Sequence, residues 1–190
     1  MPRTGSSSFR PARTSSPGWT PRVRVELNAM SGSLDSLRAQ LVRLLDWEEA
    51  HVGFDAAIDG IPQDRRGALA PGFEHSSWQL LEHMRLAQAD LLDFCVNSRY
   101  AHTLEWPAGY WPARPAPAAE GDWTGSVAAF KSDREKLKQL ARNPEVDLFA
   151  VVPTGKGGQT YLRAILLVVD HNSYHLGQLV AVRRALGIWK

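Results

Sequence analysis

The segment TYLRAILLVVDHNSYHLGQLVAVRRALG places two histidines, His171 and His175, four residues apart in a run that is otherwise largely aliphatic. Residues at that spacing on an α-helix lie about 40° apart around the axis and about 6 Å apart along it, so both imidazoles can turn toward one ion. The HExxH zinc helices use the same geometry, although this segment lacks their glutamate at the second position. His171 and His175 share a helical face with Ala164, Leu167, Val168, Gln178 and Val182, which predicts that they point inward. Buried imidazoles then need hydrogen-bond partners or a metal, because each unsatisfied buried polar group costs about 1–3 kcal/mol.

A third ligand has to come from another element. His83, in WQLLEHMRLAQ, sits between Leu80 and Ala87 on an inward-facing edge of a second helical segment and is the best candidate. His75 comes eight residues earlier, near the start of that segment, and is expected to be exposed or capping. His51, in WEEAHVGF, is a reserve ligand, and His102 follows Tyr100 in an irregular stretch with no positional argument behind it. Three neutral imidazoles leave a divalent ion its full charge and at least one open position, the pattern of catalytic rather than structural zinc. Imidazole suits several transition metals alike, so the ligands do not select among Zn, Ni, Fe or Mn. Ligand imidazoles must be neutral, and free histidine titrates near 6.5, so metal is expected to leave as the pH falls through about 6.

Other polar residues offer less. Asp170 neighbours His171 in sequence but faces about 100° away on a helix. Gln178 is the candidate for orienting a water or a thiol, and Glu48 and Glu49 are candidate acceptors for an imidazole N–H, although they read more simply as solvated helix charges. The one cysteine, Cys95, lies among apolar neighbours in LLDFCVN and reads as a small hydrophobe rather than a nucleophile. TGKGGQT lacks the GxxxxGK[ST] spacing of a phosphate loop and reads as a flexible lead into the last helix.

These residues need elements to hold them. Leu34, Leu37, Leu41, Leu44, Leu45 and Val52 recur at helical spacing, predicting a first helix over 33–58, with Ser33 at its start and Gly60 and Pro62 at its end. SSWQLLEHMRLAQADLLDFCV predicts a second helix, with Ser76 and Gln79 at capping-box spacing. Residues 98–121 hold Pro107, Pro112, Pro115 and Pro117 with Trp106, Tyr110 and Trp111 between them, too many prolines for regular structure. So long a loop is usually functional or disordered, and this one reads equally as a lid or dimer surface and as a packed crossing. A third helix is predicted over 125–142, stopped by Asn143-Pro144, then a short extended piece in DLFAVVP, then the longest helix over 154–187. No repeat appears, and four amphipathic helices with one long connection predict an all-α four-helix bundle.

With 190 residues, 44% of them hydrophobic, the chain can bury a core without disulfides. The lone cysteine fits a reducing compartment, and no run approaches the length of a membrane span or a signal-peptide core, so the expectation is a cytoplasmic protein. Residues 1–30 form a Ser/Pro/Arg-rich stretch expected to be disordered, with Met30 reading as the natural start and 31–190 as the folded domain. The five arginines and one acid of residues 1–29 give +4, so the rest of a chain of net charge +2 carries −2. That balance argues against a nucleic-acid surface on the folded body.

LLEHMRLAQADLL, followed 88 residues later by LVVDHNSYHLGQLV, resembles the DinB/YfiT-like superfamily of metal-dependent four-helix-bundle proteins, over about residues 33–187. The resemblance is strongest where the HxxxH pair is followed by Gly177-Gln178. It implies an up-down-down-up bundle, often a homodimer, with a divalent ion bound by one histidine of the second helix and two of the fourth: His83, His171 and His175. It also implies a thiol S-transferase related to those that use bacillithiol or mycothiol. In these a low-molecular-weight thiol, bound to the metal as thiolate, attacks a small electrophile. Hydrolysis by a metal-activated water is the second expectation, and a bundle that binds metal or a small molecule without catalysis is the third.

Overall fold

The computed structural model describes residues 21–46, 48 and 50–189. The first twenty residues of the expected tail lie outside them. Among the described residues there are five α-helices and no strand: α1 (Pro21–Leu44), α2 (Phe54–Ile58), α3 (Ser77–Val96), α4 (Glu120–Arg142) and α5 (Tyr161–Ala185). Single 3-10 turns stand at Gln63–Arg65 and Ala108–Tyr110. Two compact units divide between Ser36 and Leu37, and the core and the site lie in the second.

The predicted first helix is two helices, and the backbone is helical from Pro21, ten residues before the boundary expected after residue 30. Proline suits that position, since its fixed φ fits the first helical turn and its missing N–H is not needed there. The chain leaves helix after Leu44 and re-enters it at Phe54, with Gly53 extended at φ −74°, ψ 169°. A Cβ on Gly53 would sit 2.8 Å from Glu48 Cγ, so the chain folds back on itself there at a residue with no side chain. Gly60 takes φ +70°, a turn conformation that glycine adopts without penalty.

The capping box of α3 forms as its sequence predicts: Ser76 Oγ accepts from Gln79 N and Gln79 Oε1 accepts from Ser76 N. Helix α4 starts five residues earlier than its apolar stripe suggests. The Asp122 carboxylate accepts the backbone N–H groups of Ala118 and Ala119, both at 2.9 Å, and so fixes the first turn. Helix α5 starts later than predicted, at Tyr161, where Thr160 Oγ1 accepts from Arg163 N. Residues 154–159 form turns instead, and the expected extended piece reduces to one antiparallel bridge between Val151 and Thr160.

The core draws on every helix of the second unit. Leu41 and Leu45, Phe54, Leu81 and Met84, Phe130 and Leu137, and Ile165, Leu176 and Leu179 are all buried. Burying each such side chain contributes about 1.5–3 kcal/mol. Phe54 and Phe130 stack with ring centroids 4.0 Å apart, which joins α2 to α4. Two buried arginines close helix ends: Arg38 donates to the carbonyls of Ala141 and Val146, and Arg183 to those of Ala56 and Ala57. Carbonyls at a helix C-terminus have no partner within the helix, so a cation there satisfies both hydrogen bonding and the local dipole.

Candidate metal centre

His83 of α3 and His171 and His175 of α5 meet, as the sequence predicts. His83 Nε2 lies 3.1 Å from His175 Nε2 and 3.0 Å from His171 Nε2. One ring nitrogen from each of the three lies within 4.8 Å of the others. His83 and His175 are buried and His171 is half-buried. Ligand nitrogens about 2.0–2.1 Å from one ion must themselves be about 3 Å apart, and both pairs that include His83 are.

The other ring nitrogens decide the tautomers. His83 Nδ1 lies 3.0 Å from the carbonyl oxygen of Tyr110, which can only accept, so Nδ1 carries the hydrogen. His171 is fixed from further away. Gln88 Nε2 donates to the Phe130 carbonyl, which leaves Gln88 Oε1 to accept from Asn172 Nδ2. Asn172 Oδ1 then faces His171 Nδ1 at 3.2 Å as an acceptor. His175 Nδ1 donates to Gln178 Oε1 at 2.7 Å, and Gln178 Nε2 donates in turn to the Tyr174 hydroxyl. Each neutral ring therefore has its hydrogen on Nδ1 and turns a bare Nε2 lone pair toward the other two. Three lone pairs at this separation, with no hydrogen between them, repel unless a cation sits among them. Acceptors behind each imidazole are also what orients histidine for a metal and raises its basicity.

Burial reinforces the neutral state. It lowers the pKa of His83 to about 4 against a weaker opposing pull from the Tyr110 carbonyl, and the charges that His175 and His171 would carry push the same way. His175 is lowered to about 4, first by burial and then by His171. Burial also lowers His171, with Asn172 and Asp170 opposing. Protons therefore compete for these nitrogens at lower pH than the sequence-based figure of about 6 allows.

The Pro-rich segment supplies part of the site. Tyr110 is buried, Trp111 is half-buried and Trp106 is 67% exposed, so one stretch both packs and presents an aromatic to solvent. Tyr110 Oη donates to Asp90 Oδ2 at 2.6 Å and therefore accepts from His102 Nε2 at 2.9 Å, while Tyr100 Oη donates to Asp90 Oδ1. These bonds brace the residue whose carbonyl holds His83. Trp111 stacks on His83 at 3.7 Å and 3° and on His75 at 3.7 Å and 15°, and meets His175 edge-on at 5.8 Å. His75 is thus half-buried against Trp111, not exposed or capping as expected, and its Nδ1 is buried without a hydrogen-bond partner.

Two cavities reach the histidines and have no lining residue in common. One of about 190 Å³ is lined by Tyr110, Trp106, Leu167 and His171, the other of about 520 Å³ by His75, Trp111, Tyr174, His175 and Gln178.

The remaining sequence candidates are placed elsewhere or in other roles. Gln178 is at the site, holding His175 through its carbonyl oxygen. His51 is exposed and bonded to the Val52 carbonyl, outside the cluster. Glu48 is exposed, and the side chain of Glu49 lies outside the described residues. The acceptors behind the imidazoles are instead Tyr110, Asn172 and Gln178. Cys95 is buried with its thiol pushed up to about 12 by desolvation, which leaves it without nucleophilic character at neutral pH. Among the described residues no helix is long and apolar enough to cross a membrane.

A family model described as DinB superfamily matches residues 46–179, a span that contains all three histidines and Gln178. No curated protein and no solved structure matches the chain.

Proposed function

The chain belongs to the DinB superfamily, and on that premise we propose that it is a divalent-metal-dependent enzyme, a transferase that joins the sulfur of a small thiol to an electrophilic carbon, the thiol proton passing to solvent and the group displaced from the carbon departing with the bonding pair. The observation that carries the reading is the convergence of His83, His171 and His175 through Nε2, with an acceptor oxygen behind each Nδ1. A divalent ion supplies a lowered pKa to a thiol or water at its open position. The chain's own residues do the rest: the Tyr110 carbonyl, Asn172 and Gln178 hold the imidazoles, Trp111 covers one face of His83, and the two cavities admit small molecules to His171 and His175.

In this reading residues 31–190 form one up-down-down-up bundle. Its support lies in the contacts. Partners rise together along α3 and α4, from Glu82 with Ser126 to Gln88 with Phe130. They run in opposite order along α3 and α5, from His83 with His175 to Gln88 with Asn172. Arg38 with Ala141 and Phe54 with Phe130 give α4 the opposite direction to the chain of α1 and α2.

A hydrolase is the second reading, and one observation favours it. His75 lines the cavity that reaches His175, which sets a further imidazole beside any water that enters it. The deciding experiment is metal analysis of protein purified without a histidine tag, followed by assays with panels of thiols, electrophiles and esters. Stoichiometric metal with thiol conjugation supports the transferase, and ester cleavage without conjugation supports the hydrolase. Metal with no turnover in either panel overturns both in favour of a binding protein.

A further inference from the structure

The cavity at His171 does not end there. It shares Asp90, Leu91 and Leu167 with a further cavity of about 500 Å³, whose far wall carries Thr154, Lys156 and Arg163. The two adjoin at these three residues, so together they line a path along α5. Arg163, Leu167 and His171 are four residues apart in turn, so the groove runs about 12 Å from the arginine to the histidine.

The far end is built from unpartnered donors. Among the described residues neither Lys156 nor Arg163 has an ion-pair partner. The Thr154 hydroxyl oxygen is buried and makes no hydrogen bond. The acid of the shared wall, Asp90, does not neutralise them by contact, since its two oxygens accept from the hydroxyls of Tyr100 and Tyr110. Its charge still counts at longer range, as does that of Asp170, which lines a neighbouring cavity with Arg163, so the far end suits an anion of low charge. Between this end and His171 the groove is walled by Leu91 and Leu167.

We propose that the groove binds an elongated carboxylic acid, its carboxylate held by Arg163, Lys156 and Thr154, its apolar middle along Leu91 and Leu167, and its reacting head at His171. The placement of the head rests on the metal-dependent reading above, whereas the carboxylate subsite does not.

The test uses the whole chain and two pairs of probes. Octanoate against octanol, titrated into metal-free protein and followed by NMR shifts or calorimetry, reads the cationic end by itself. 8-Mercaptooctanoate against 8-mercaptooctanol, titrated into zinc-loaded protein, reads the same preference with the head engaged. In both pairs the acid should bind about fivefold tighter than the alcohol, the scale of one well-placed ion pair of about 1 kcal/mol. The double variant K156Q/R163Q should abolish that preference while leaving alcohol binding and the melting temperature unchanged. Equal binding of acid and alcohol by the unaltered protein overturns the proposal, as does an acid preference that survives the double substitution. If zinc fails to load while the octanoate preference stands, the metal-dependent reading falls and the carboxylate subsite remains.

Discussion

Helix α5 buries two sets of side chains that obey opposite principles. One set is Ile165, Leu176 and Leu179, aliphatic groups that are buried like Phe54 and Phe130. The other is Asn172 and His175, buried polar groups whose ring and amide atoms are assigned to named partners. The aliphatic interior asks only for volume, so similar side chains can exchange there at modest cost. The polar interior asks for direction, because each donor must meet an acceptor and an unmade bond leaves a desolvated group behind. Stability rests mainly on the first, and in the proposed reading chemistry rests on the second.

Substitutions on the two sides should separate these roles. Phe130→Ala should have the largest effect, removing about 3–5 kcal/mol from the unfolding free energy in a denaturant titration. His171→Ala should leave the melting temperature of metal-free protein unchanged or higher, because it removes one of three opposed lone pairs. It should weaken metal binding more than about 100-fold, beyond the effect of losing a supporting group. A large stability loss in His171→Ala would show that the cluster is structural and would collapse the distinction.

Acid should also act on the polar interior alone. The folded pKa values of His83 and His175 are about 4, below the unfolded value near 6.5. Between those limits the unfolded chain binds more protons, so the stability of metal-free protein should be full above about pH 6.5 and fall as the pH drops toward 4. By the same shifts the loaded protein should still hold its metal at pH 5, as checked by dialysis and metal analysis. Half-loss of metal near pH 6 with the fold intact would mean that the imidazoles are not shielded as burial implies.

Smaller effects should trace the supports. Asn172→Ala should cost about 10–100-fold in metal affinity, the scale for a partner behind a ligand. His102→Ala acts one step further out, through the Tyr110 hydroxyl, and should cost only a few-fold on that same scale. His51→Ala should change nothing in metal affinity. Equal losses for His102→Ala and His171→Ala in a metal titration would mean that the ligands are misassigned.

The aliphatic interior and the three histidines were legible because both follow helical periodicity. Leu80, Leu81, Met84 and His83 lie within two turns, and His171 and His175 are a turn apart. The supports were not. The acceptor for His83 is a backbone carbonyl, which any residue carries, and it is placed by a Pro-rich path that no period describes. His75 sits against Trp111 for the same reason. Gln88 and Asn172 did leave a trace, as amides on faces otherwise buried, but nothing in the spacing says that they meet each other. The break after Leu44 was hidden because Leu45 continues the apolar stripe while the chain turns.

The amide chain from Phe130 through Gln88 and Asn172 to His171 has a polarity. A carbonyl in α4 that cannot give up a hydrogen determines, two helices away, which nitrogen of an imidazole is bare. Positions 88, 172 and 171 are therefore one hydrogen-bonded unit. In kindred sequences they should change together or stay fixed together, and a lineage that abandons the ion should release all three at once.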